Sequence, residues 1–231
     1  MGYNWQWYRV PKYFYTLTDE GFQWGEIAIG LVKTIELSTL AFLLALVLGL
    51  TIALLRLSGL LVGGALAVVF LEIVRNTPLL VLLYLFYYVL GPIFDLDSRS
   101  LVSGVVVLAL FESAFVGEIV RAGIQSIGKG QIEASQSIGM SKLDQLRFIV
   151  LPQALKKVVP PMANQFISLI KDSSIISLIS VQELTFKTVE LVASTRAIFE
   201  AWIITALFYF IICFSLSMLF RRLEKTDTVA S

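Results

Sequence analysis

Charged side chains interrupt several long apolar stretches of this sequence, and they are its best candidates for binding chemistry. On membrane-insertion scales, a charge at the centre of a helix costs about 2.5–3.5 kcal/mol, so such a residue usually faces protein or a cavity. We therefore expect these side chains to pair with one another or to contact a polar ligand. They are Lys33, Glu36, Glu72, Arg75, Glu112, Glu118, Lys171 and Asp172.

The spacing of these charges separates those that can pair locally from those that cannot. Lys171 and Asp172 are adjacent and point about 100° apart on a helix, so each needs a partner elsewhere. Glu112 has no cation three or four residues away. Three other pairs stand three residues apart, where ion pairing on one helix face is the simplest interpretation. They are Lys33 with Glu36, Glu72 with Arg75, and Glu118 with Arg121.

The residues needed for most enzyme chemistry are missing. The sequence has no histidine, which removes His-based general bases, catalytic triads and zinc-bound water. Its one cysteine, Cys213, allows no disulfide within the chain and few metal sites. No G-x-x-x-x-G-K-[ST] phosphate loop is present, so we expect no ATP hydrolysis by that route. We predict no catalytic residue, no metal site and no cofactor in this chain.

Composition indicates that much of the surface faces lipid. Of 231 residues, 57% are hydrophobic and only 15% are charged, against about 25% in an ordinary soluble domain. The net charge of +1 gives no basis for a nucleic-acid partner, which would require a basic patch.

Five stretches are long and apolar enough to cross a bilayer, which needs about 20 residues per helix. No strand-like alternation is visible in them, and hydrocarbon leaves no partner for free backbone groups, so all five are predicted to be helices. The predicted fold is an all-α membrane protein with five transmembrane helices in one domain, residues 27–225. An aromatic-rich segment, residues 1–26, precedes it, and a tail, residues 226–231, follows. The predicted spans are Ile27–Leu55, Gly64–Leu90, Leu101–Ile124, Pro160–Ile179 and Ile198–Phe220.

The distribution of Lys and Arg predicts the orientation. With five spans, ten of the 18 cations fall on one side, and the positive-inside rule places that side in the cytoplasm. The N-terminus is then outside and the C-terminus cytoplasmic. Acids such as Asp95 and Asp97 dilute the cations of the outer side, which include Arg99. The aromatic residues of 1–26 suit a membrane–water interface, and a mobile tail that merely contains aromatics is the less favoured alternative.

One polar and amphipathic segment, residues 125–157, lies on the predicted cytoplasmic side. Its apolar residues recur at helical spacing, Gly139 permits a tight turn, and Pro152 indicates another break. We expect two short helices that meet at Gly139 and project from the membrane. From the residues alone, this projection could equally lie on anionic lipid or dock on a partner protein.

This segment carries a motif that identifies a family resemblance. Glu133-Ala134-Ser135, followed by Gly139 and by the run from Ile149 to Pro152, is similar to the EAA motif E-A-A-x3-G-x9-I-x-L-P. That motif is typical of the permease subunits of binding-protein-dependent ABC importers. The segments EIVRNTPLLVLLYLFYY (72–88), ESAFVGEIVRAGIQSIGKGQ (112–131) and SVQELT (180–185) resemble the polar amino-acid subgroup of that family.

The resemblance implies a mechanism and a set of partners. It implies a type I importer in the bacterial cytoplasmic membrane, in which a pair of partner ATPases binds ATP and Mg²⁺ and docks on the coupling helix. It further implies a solute-binding protein outside, a second copy or a paralogous permease subunit, and alternating access driven by ATP. The residues it assigns to ATPase coupling are Glu133, Ala134, Ser135, Gly139, Met140 and Ser141.

A polar amino acid as substrate gives the buried charges a role. It presents an ammonium and a carboxylate group, so our hypothesis is that Glu112 and Asp172 bind the ammonium while Arg75 and Lys171 bind the carboxylate. Ser113 and Ser173 are added as neighbouring contacts. Ion pairing between helices, with no ligand contact, is the alternative. The run LFESAF (110–115) resembles glutamate/aspartate permeases. Thr77 and Pro78 interrupt the second span, either as a hinge or as a packed kink.

A transporter driven by an ion gradient, or a channel, is the alternative function. It would use Glu112 and Asp172 as ion or proton sites. Against it, the sequence shows no internal inverted repeat, which such folds often contain.

Overall fold

The computed structural model describes residues 3–18, 21–93 and 100–229, and most of these residues are helical. Three helices are long and apolar enough to cross a membrane: α1 (Glu26–Leu57), α5 (Ser100–Gln125) and the stretch Ile198–Leu223 of α10 (Ile198–Val229). They confirm the first, third and fifth predicted spans to within a few residues. Asp95, Asp97, Arg99 and the two residues at each end of the chain lie outside the described residues.

The central contact of the fold is between α1 and α5. Small residues allow the two backbones to approach closely. A Cβ atom built on Gly49 would lie 2.4 Å from Val116 Cγ1 and 2.9 Å from the Gly117 amide nitrogen. A Cβ on Gly117 would lie 3.0 Å from the Gly49 carbonyl oxygen. Small residues at such positions are how helices associate in a bilayer, where the hydrophobic effect between spans is absent.

The second predicted span is sharply bent. Helix α2 (Leu61–Arg75) ends before Thr77, and α3 (Leu79–Tyr84) begins after Pro78, whose ring cannot donate an amide hydrogen bond. Helix α3 continues through a π-helical turn (Leu85–Leu90) into α4 (Gly91–Ile93). The two arms, Leu61–Arg75 and Leu79–Ile93, meet at 108°. The span expected over Gly64–Leu90, with its interruption at Thr77 and Pro78, is therefore two helices, and the interruption is a sharp corner.

One helical run joins the polar segment to the fourth predicted span. After α6 (Lys129–Ser137), the chain turns and forms α7 (Lys142–Asp144), a π-helical turn (Gln145–Val150), α8 (Leu151–Asp172) and a 3-10 helix (Ser173–Ile179). The break expected at Pro152 is absent. Pro152 stands in the first turn of α8, where a missing amide hydrogen is tolerated, and the π turn lies directly before it.

Helix α9 (Leu184–Thr195) was not expected from the sequence. It packs on α1 and α10. Ile27, Leu184, Leu191, Ala201 and Ile204 form one buried cluster. Lys187 of α9, with its side chain only 10% exposed, makes ion pairs with Glu26 at 2.8 Å and Glu190 at 2.9 Å. Helix α9 therefore ties the start of α1 to the start of α10.

The N-terminal segment is ordered against that cluster and includes a β-hairpin. A 3-10 helix (Trp7–Tyr13) precedes strands β1 (Tyr15–Thr18) and β2 (Gly21–Trp24), which pair antiparallel with Tyr15 opposite Trp24 and Leu17 opposite Phe22. The all-α expectation is wrong for this segment. In Tyr15–Thr18 and Phe22–Trp24, aromatic or aliphatic residues alternate with polar ones. This alternation predicts strands, although both stretches are too short to be spans.

Candidate functional site

Glu112 is the most completely buried acid of the predicted substrate site. It lies on α5 and has no exposed surface. Its Oε2 accepts a hydrogen bond of 2.6 Å from Nε2 of Gln165 on α8. Its other oxygen, Oε1, is buried and has no hydrogen-bond partner among the described residues. A buried carboxylate oxygen that accepts no hydrogen bond destabilises the folded state, so a donor placed at this oxygen would be bound favourably.

Asp172 lies on the same side of α8 as this carboxylate. Asp172 stands seven residues, or about two helical turns, beyond Gln165, so it shares a face of α8 with the residue that bonds to Glu112. Lys171, the preceding residue, is exposed, and its charge acts on Asp172 as well as on Cys213 of α10. The structure therefore brings Glu112, Gln165 and Asp172 together and leaves the side chain of Lys171 exposed next to Asp172.

The two serines of the predicted site are buried, but their hydroxyls bond to their own helices. Ser113 Oγ donates to the Leu110 carbonyl oxygen at 2.7 Å, and Ser173 Oγ donates to that of Ile170 at 2.7 Å. Both hydroxyl protons are used locally. Gln165 is the polar neighbour of Glu112 that sequence reasoning missed, because its contact spans 53 positions along the chain.

Arg75 belongs to a different group of charges. Its charge acts on Glu118, which stands six residues, or about 9 Å, further along α5 than Glu112. Glu118 also accepts hydrogen bonds from Arg56 at 2.6 Å and from Arg121, which confirms the expected Glu118–Arg121 pair and extends it to α1. The ion pairs of Glu118 with Arg56 and Arg121 connect the ends of α1 and α5.

The other two predicted pairs have different outcomes. Lys33 and Glu36 pair at 2.8 Å and are both well exposed. Within the described part of the chain, Glu72 makes no ion pair with Arg75. Glu72 instead accepts a hydrogen bond of 2.8 Å from Nδ2 of Asn76, in the corner that contains Thr77 and Pro78.

The Gly139 corner, defined as residues 129–150, has the turn that the sequence predicts. Gly139 has φ of +81°, a left-handed conformation that a Cβ would strain. Met140 donates its amide to the Ser135 carbonyl oxygen at 3.1 Å and accepts from Gln145 Nε2 at 3.0 Å. Ser141 caps α7 by accepting a 3.2 Å bond from the Asp144 amide. These bonds lock the turn between α6 and the helical run that follows.

The two faces of the Gly139 corner differ in burial. Ile132 packs inward on Ile127, Val150 and Ala154, and Ser135 is buried with its hydroxyl bonded to the Ile132 carbonyl oxygen. Glu133, Ala134 and Gly139 are exposed. Ile138 is 77% exposed and Leu143 72% exposed. Large aliphatic side chains at the tip of a projecting turn form an apolar contact surface that this chain does not cover itself.

A second buried acid, Glu183, was not among the predicted residues. Its Oε1 accepts from the Phe186 amide at 2.8 Å, which caps α9, and its Oε2 accepts from Tyr209 at 2.8 Å and from Thr34 at 3.4 Å. The contacts join α1, α9 and α10. The capping position of Glu183 before Leu-Thr was a readable local signal, whereas its partners are 26 and 149 positions away.

Among the described residues, no group of three or more His, Cys, Asp or Glu side chains could hold a metal ion.

Comparison with known proteins identifies the class to which this arrangement belongs. Residues 45–226 match the model of the family described as binding-protein-dependent transport system inner membrane component. The chain is 37% identical over 201 residues to the probable glutamine ABC transporter permease protein GlnM of Bacillus subtilis (strain 168), covering 85% of this chain and 93% of that protein.

Two further relatives have similar coverage. The glutamine transport system permease protein GlnP of Escherichia coli (strain K12) is 36% identical, and the alignment covers 85% of this chain and 90% of that protein. The L-cystine transport system permease protein TcyB of Bacillus subtilis (strain 168) is 38% identical, and the alignment covers 87% of this chain and 86% of that protein.

Solved structures agree with this result. The crystal structure of an amino acid ABC transporter with histidines contains a chain that superposes with a TM-score of 0.82 at 36% identity, covering 87% of this chain and 94% of that one. An inward-facing form of the MetNI methionine ABC transporter shares the fold, with a TM-score of 0.66 at 20% identity, covering 85% and 95%.

The fold and the Gly139 corner are therefore those of a multi-pass membrane permease. The chain belongs to the family of binding-protein-dependent transport system inner membrane components, and it is a transport subunit rather than an enzyme.

Proposed function

We propose that this chain is the permease subunit of an ATP-driven importer for a polar amino acid. The observation that carries the proposal is the unpartnered, buried Oε1 of Glu112 on α5, which packs on α8, the helix that carries Asp172. An α-ammonium group supplies three N–H donors and one positive charge, which suit two adjacent acids. The relatives named for glutamine and cystine transport support an amino acid as the substrate class.

The proposed substrate contacts are Glu112, Gln165 and Asp172 for the ammonium end and Lys171 for the carboxylate end. We leave Arg75 out because its charge acts on Glu118. Ser113 and Ser173 are retained only as wall residues, since their hydroxyls bond within their own helices.

A neutral polar amino acid such as glutamine is the proposed substrate. None of the relatives reported above is named for glutamate or aspartate, so they give the expectation drawn from residues 110–115 no support. A site with two acids and one lysine is likewise poorly suited to a second carboxylate on the ligand.

The proposed assembly contains three further kinds of protein component. Two ATPase subunits bind ATP and Mg²⁺ and dock on the Gly139 corner through Glu133, Ala134, Gly139 and the residues of its tip. A second permease copy or a paralogue completes the pathway, and an external binding protein delivers the substrate. The membrane is the bacterial cytoplasmic membrane.

The topology we propose has five spans, with residues 27–225 as one permease domain, the N-terminus outside and the C-terminus in the cytoplasm. Three spans correspond to α1, α5 and α10. The bent pair α2–α3 and the run α8 with its 3-10 extension supply the other two. Thr77 and Pro78 are the proposed hinge, because the 108° corner there lacks a proline amide hydrogen bond.

Substrate-stimulated ATP hydrolysis by the purified complex tests this function. The complex is screened against the twenty amino acids, and then Glu112→Gln and Lys171→Met are compared with the wild type. Loss of a charged hydrogen bond, worth about 1.5–3 kcal/mol, should raise the half-saturating substrate concentration about 10- to 100-fold. Glu190→Gln, on α9, is the matched control and should leave it unchanged.

Wild-type stimulation in both variants would remove these residues from the site. An ion-gradient-driven transporter makes the opposite prediction for the complex as a whole. It would concentrate solute in vesicles that contain this chain and no ATPase, which the proposed mechanism forbids.

A further inference from the structure

The β-hairpin presents a face made only of large apolar and aromatic side chains. Tyr15, Leu17, Phe22 and Trp24 alternate along the two strands and pair across them, which places all four on one face. They are 46%, 76%, 55% and 68% exposed. Thr16 and Gln23, which pair with each other, occupy the opposite face. The hairpin is therefore amphipathic, and no residue that the structure describes covers its apolar face.

The rings of this face are arranged before any partner arrives. Tyr15 and Phe22 stack with centroids 6.0 Å apart, and Phe22 meets Trp24 edge to face at 5.0 Å. Such ring pairs contribute about 0.5–1.5 kcal/mol each beyond burial, so the face is a preformed platform.

A short, rigid connection joins the hairpin to α1. The Gly25 amide donates to the Phe14 carbonyl oxygen at 2.7 Å, and a Cβ on Gly25 would lie 2.4 Å from the Tyr13 carbonyl carbon. Tyr13 is itself 4% exposed and packs in the cluster of Ile27 and Ala201. The platform is thus held at a fixed height, two residues before α1 begins.

That height coincides with a membrane boundary. Arg221 lies near the end of the apolar stretch Ile198–Leu223 of α10, and the twenty steps from Ala201 to Arg221 rise about 30 Å, which is the thickness of the hydrocarbon core. With Arg221 at one boundary, Ala201 lies at the other. Ile27 packs in the same cluster as Ala201, so the hairpin begins at that same level.

A second group of aromatics surrounds the start of α10 at this level. Trp5 stacks on Trp7 at 5.8 Å and contacts Phe199 at 5.8 Å, and Trp202 is exposed one turn further along. Trp and Tyr concentrate where a bilayer meets water, because their rings are amphipathic. Two aromatic groups thus flank two spans at one height.

We propose that the hairpin is an interfacial anchor, whose face of Tyr15, Leu17, Phe22 and Trp24 inserts among the lipid headgroups on the N-terminal side of the membrane. Helix α1 begins two residues after the hairpin, and its first turns expose Ile29 and Val32. Exposed Lys12 beside the hairpin adds a cation suited to phosphate groups. The hairpin lies outside residues 45–226, which match the family model.

The anchor is tested by measuring the depth of a label in the intact transporter. Cys213, the only cysteine of this chain, is replaced by Ser, and the other subunits are made cysteine-free. Leu17→Cys on the apolar face and Gln23→Cys on the polar face then carry a fluorescent maleimide. The complex is placed in phosphatidylcholine–phosphatidylglycerol vesicles containing phosphatidylcholine with a doxyl group near the top of its acyl chain.

The lipid-borne doxyl group should quench the Leu17 label severalfold more strongly than the Gln23 label, and aqueous iodide should do the reverse. Equal quenching of both labels by iodide would overturn the proposal. So would protection of the Leu17 label from both quenchers, which would indicate a second permease copy. Protection from both that requires added binding protein would assign the face to that partner. Should Leu17→Cys fail to assemble, Phe22→Cys on the same face replaces it.

Discussion

At the scale of single residues, two buried acids differ in how many of their carboxyl oxygens accept a hydrogen bond. Glu183 accepts from Phe186, Tyr209 and Thr34, so its two oxygens are used in holding three helices together. Glu112 has one oxygen bonded to Gln165 and one without a partner among the described residues. A fully bonded acid stabilises a fold, whereas a partly bonded one leaves capacity for a ligand. This difference, rather than burial alone, separates the structural acid from the proposed binding acid.

Tyr209→Phe is expected to lower the free energy of unfolding by about 1–3 kcal/mol, because it removes a buried hydrogen bond to Glu183. Denaturant titration of the purified chain in detergent measures this. Tyr88→Phe, at an exposed position, is the control and should change the value little. Equal effects of the two substitutions would show that the Glu183 cluster does not contribute to stability.

The sequence predicts residues whose partners are near in the chain and misses those whose partners are distant. Gly139, Ser141 and the Lys33–Glu36 pair were predictable because turn geometry and helical spacing are local. Gln165 and the partners of Glu183 were not, since only the packing of α5 on α8, and of α9 on α1 and α10, brings them together. Glu72 shows that local spacing alone can also mislead. Its spacing to Arg75 allowed an ion pair, but in the corner at Pro78 it accepts a hydrogen bond from Asn76 instead.

At the scale of helices, the α1–α5 contact depends on the absence of side chains. Gly49→Ala would place a methyl group 2.4 Å from Val116 and 2.9 Å from the backbone nitrogen of Gly117. Because backbone cannot move aside cheaply, we expect a loss of about 1–3 kcal/mol in the free energy of unfolding.

Gly64→Ala, in α2, is the matched control for this substitution. The nearest atom to a Cβ there is the Leu55 carbonyl oxygen at 3.9 Å, an ordinary contact. Thermal unfolding in detergent compares the two variants. If Gly49→Ala is as stable as Gly64→Ala, the close approach of α1 to α5 is not required.

Helix boundaries were predictable where apolar length alone decides them, as in α1, α5 and α10. They were not where a break changes direction. Pro78 and Pro152 are both prolines in apolar surroundings, yet one ends a helix at a 108° corner and the other stands in the first turn of α8. The difference lies in what precedes each residue: a helix end at Arg75 in one case and a π turn in the other. Single-residue propensity does not encode that context.

At the scale of the whole molecule, the exposed surfaces divide by partner. The apolar sides of the spans face lipid, the hairpin face lies at one membrane surface, and the tip of the Gly139 corner remains uncovered at the end of its turn. Ile138 and Leu143 are the large side chains of that tip. Their exposure is consistent with the partner ATPase that the family requires, and it provides a test that leaves the fold of this chain intact.

Ile138→Asp should weaken ATPase binding at least about 30-fold, equivalent to about 2 kcal/mol, because a charge would be buried in an apolar contact. Cofractionation of the ATPase with the detergent-solubilised permease measures the change. Tyr8→Asp, at another highly exposed position, tests for general damage and should retain the ATPase. Undiminished cofractionation of Ile138→Asp would remove this tip from the docking surface.

The helical run from Lys142 through α8 to Asp172 contains no loop. Over its thirty residues it reaches about 45 Å, from the turn at Gly139 to the acid beside Glu112. A displacement of one end is therefore transmitted to the other end, because no flexible segment separates them. Only Pro160 and Pro161, which interrupt the hydrogen-bond ladder of α8, allow the run to bend. ATP hydrolysis by the partner subunits and substrate affinity near Glu112 would then be coupled mechanically through one continuous helical run.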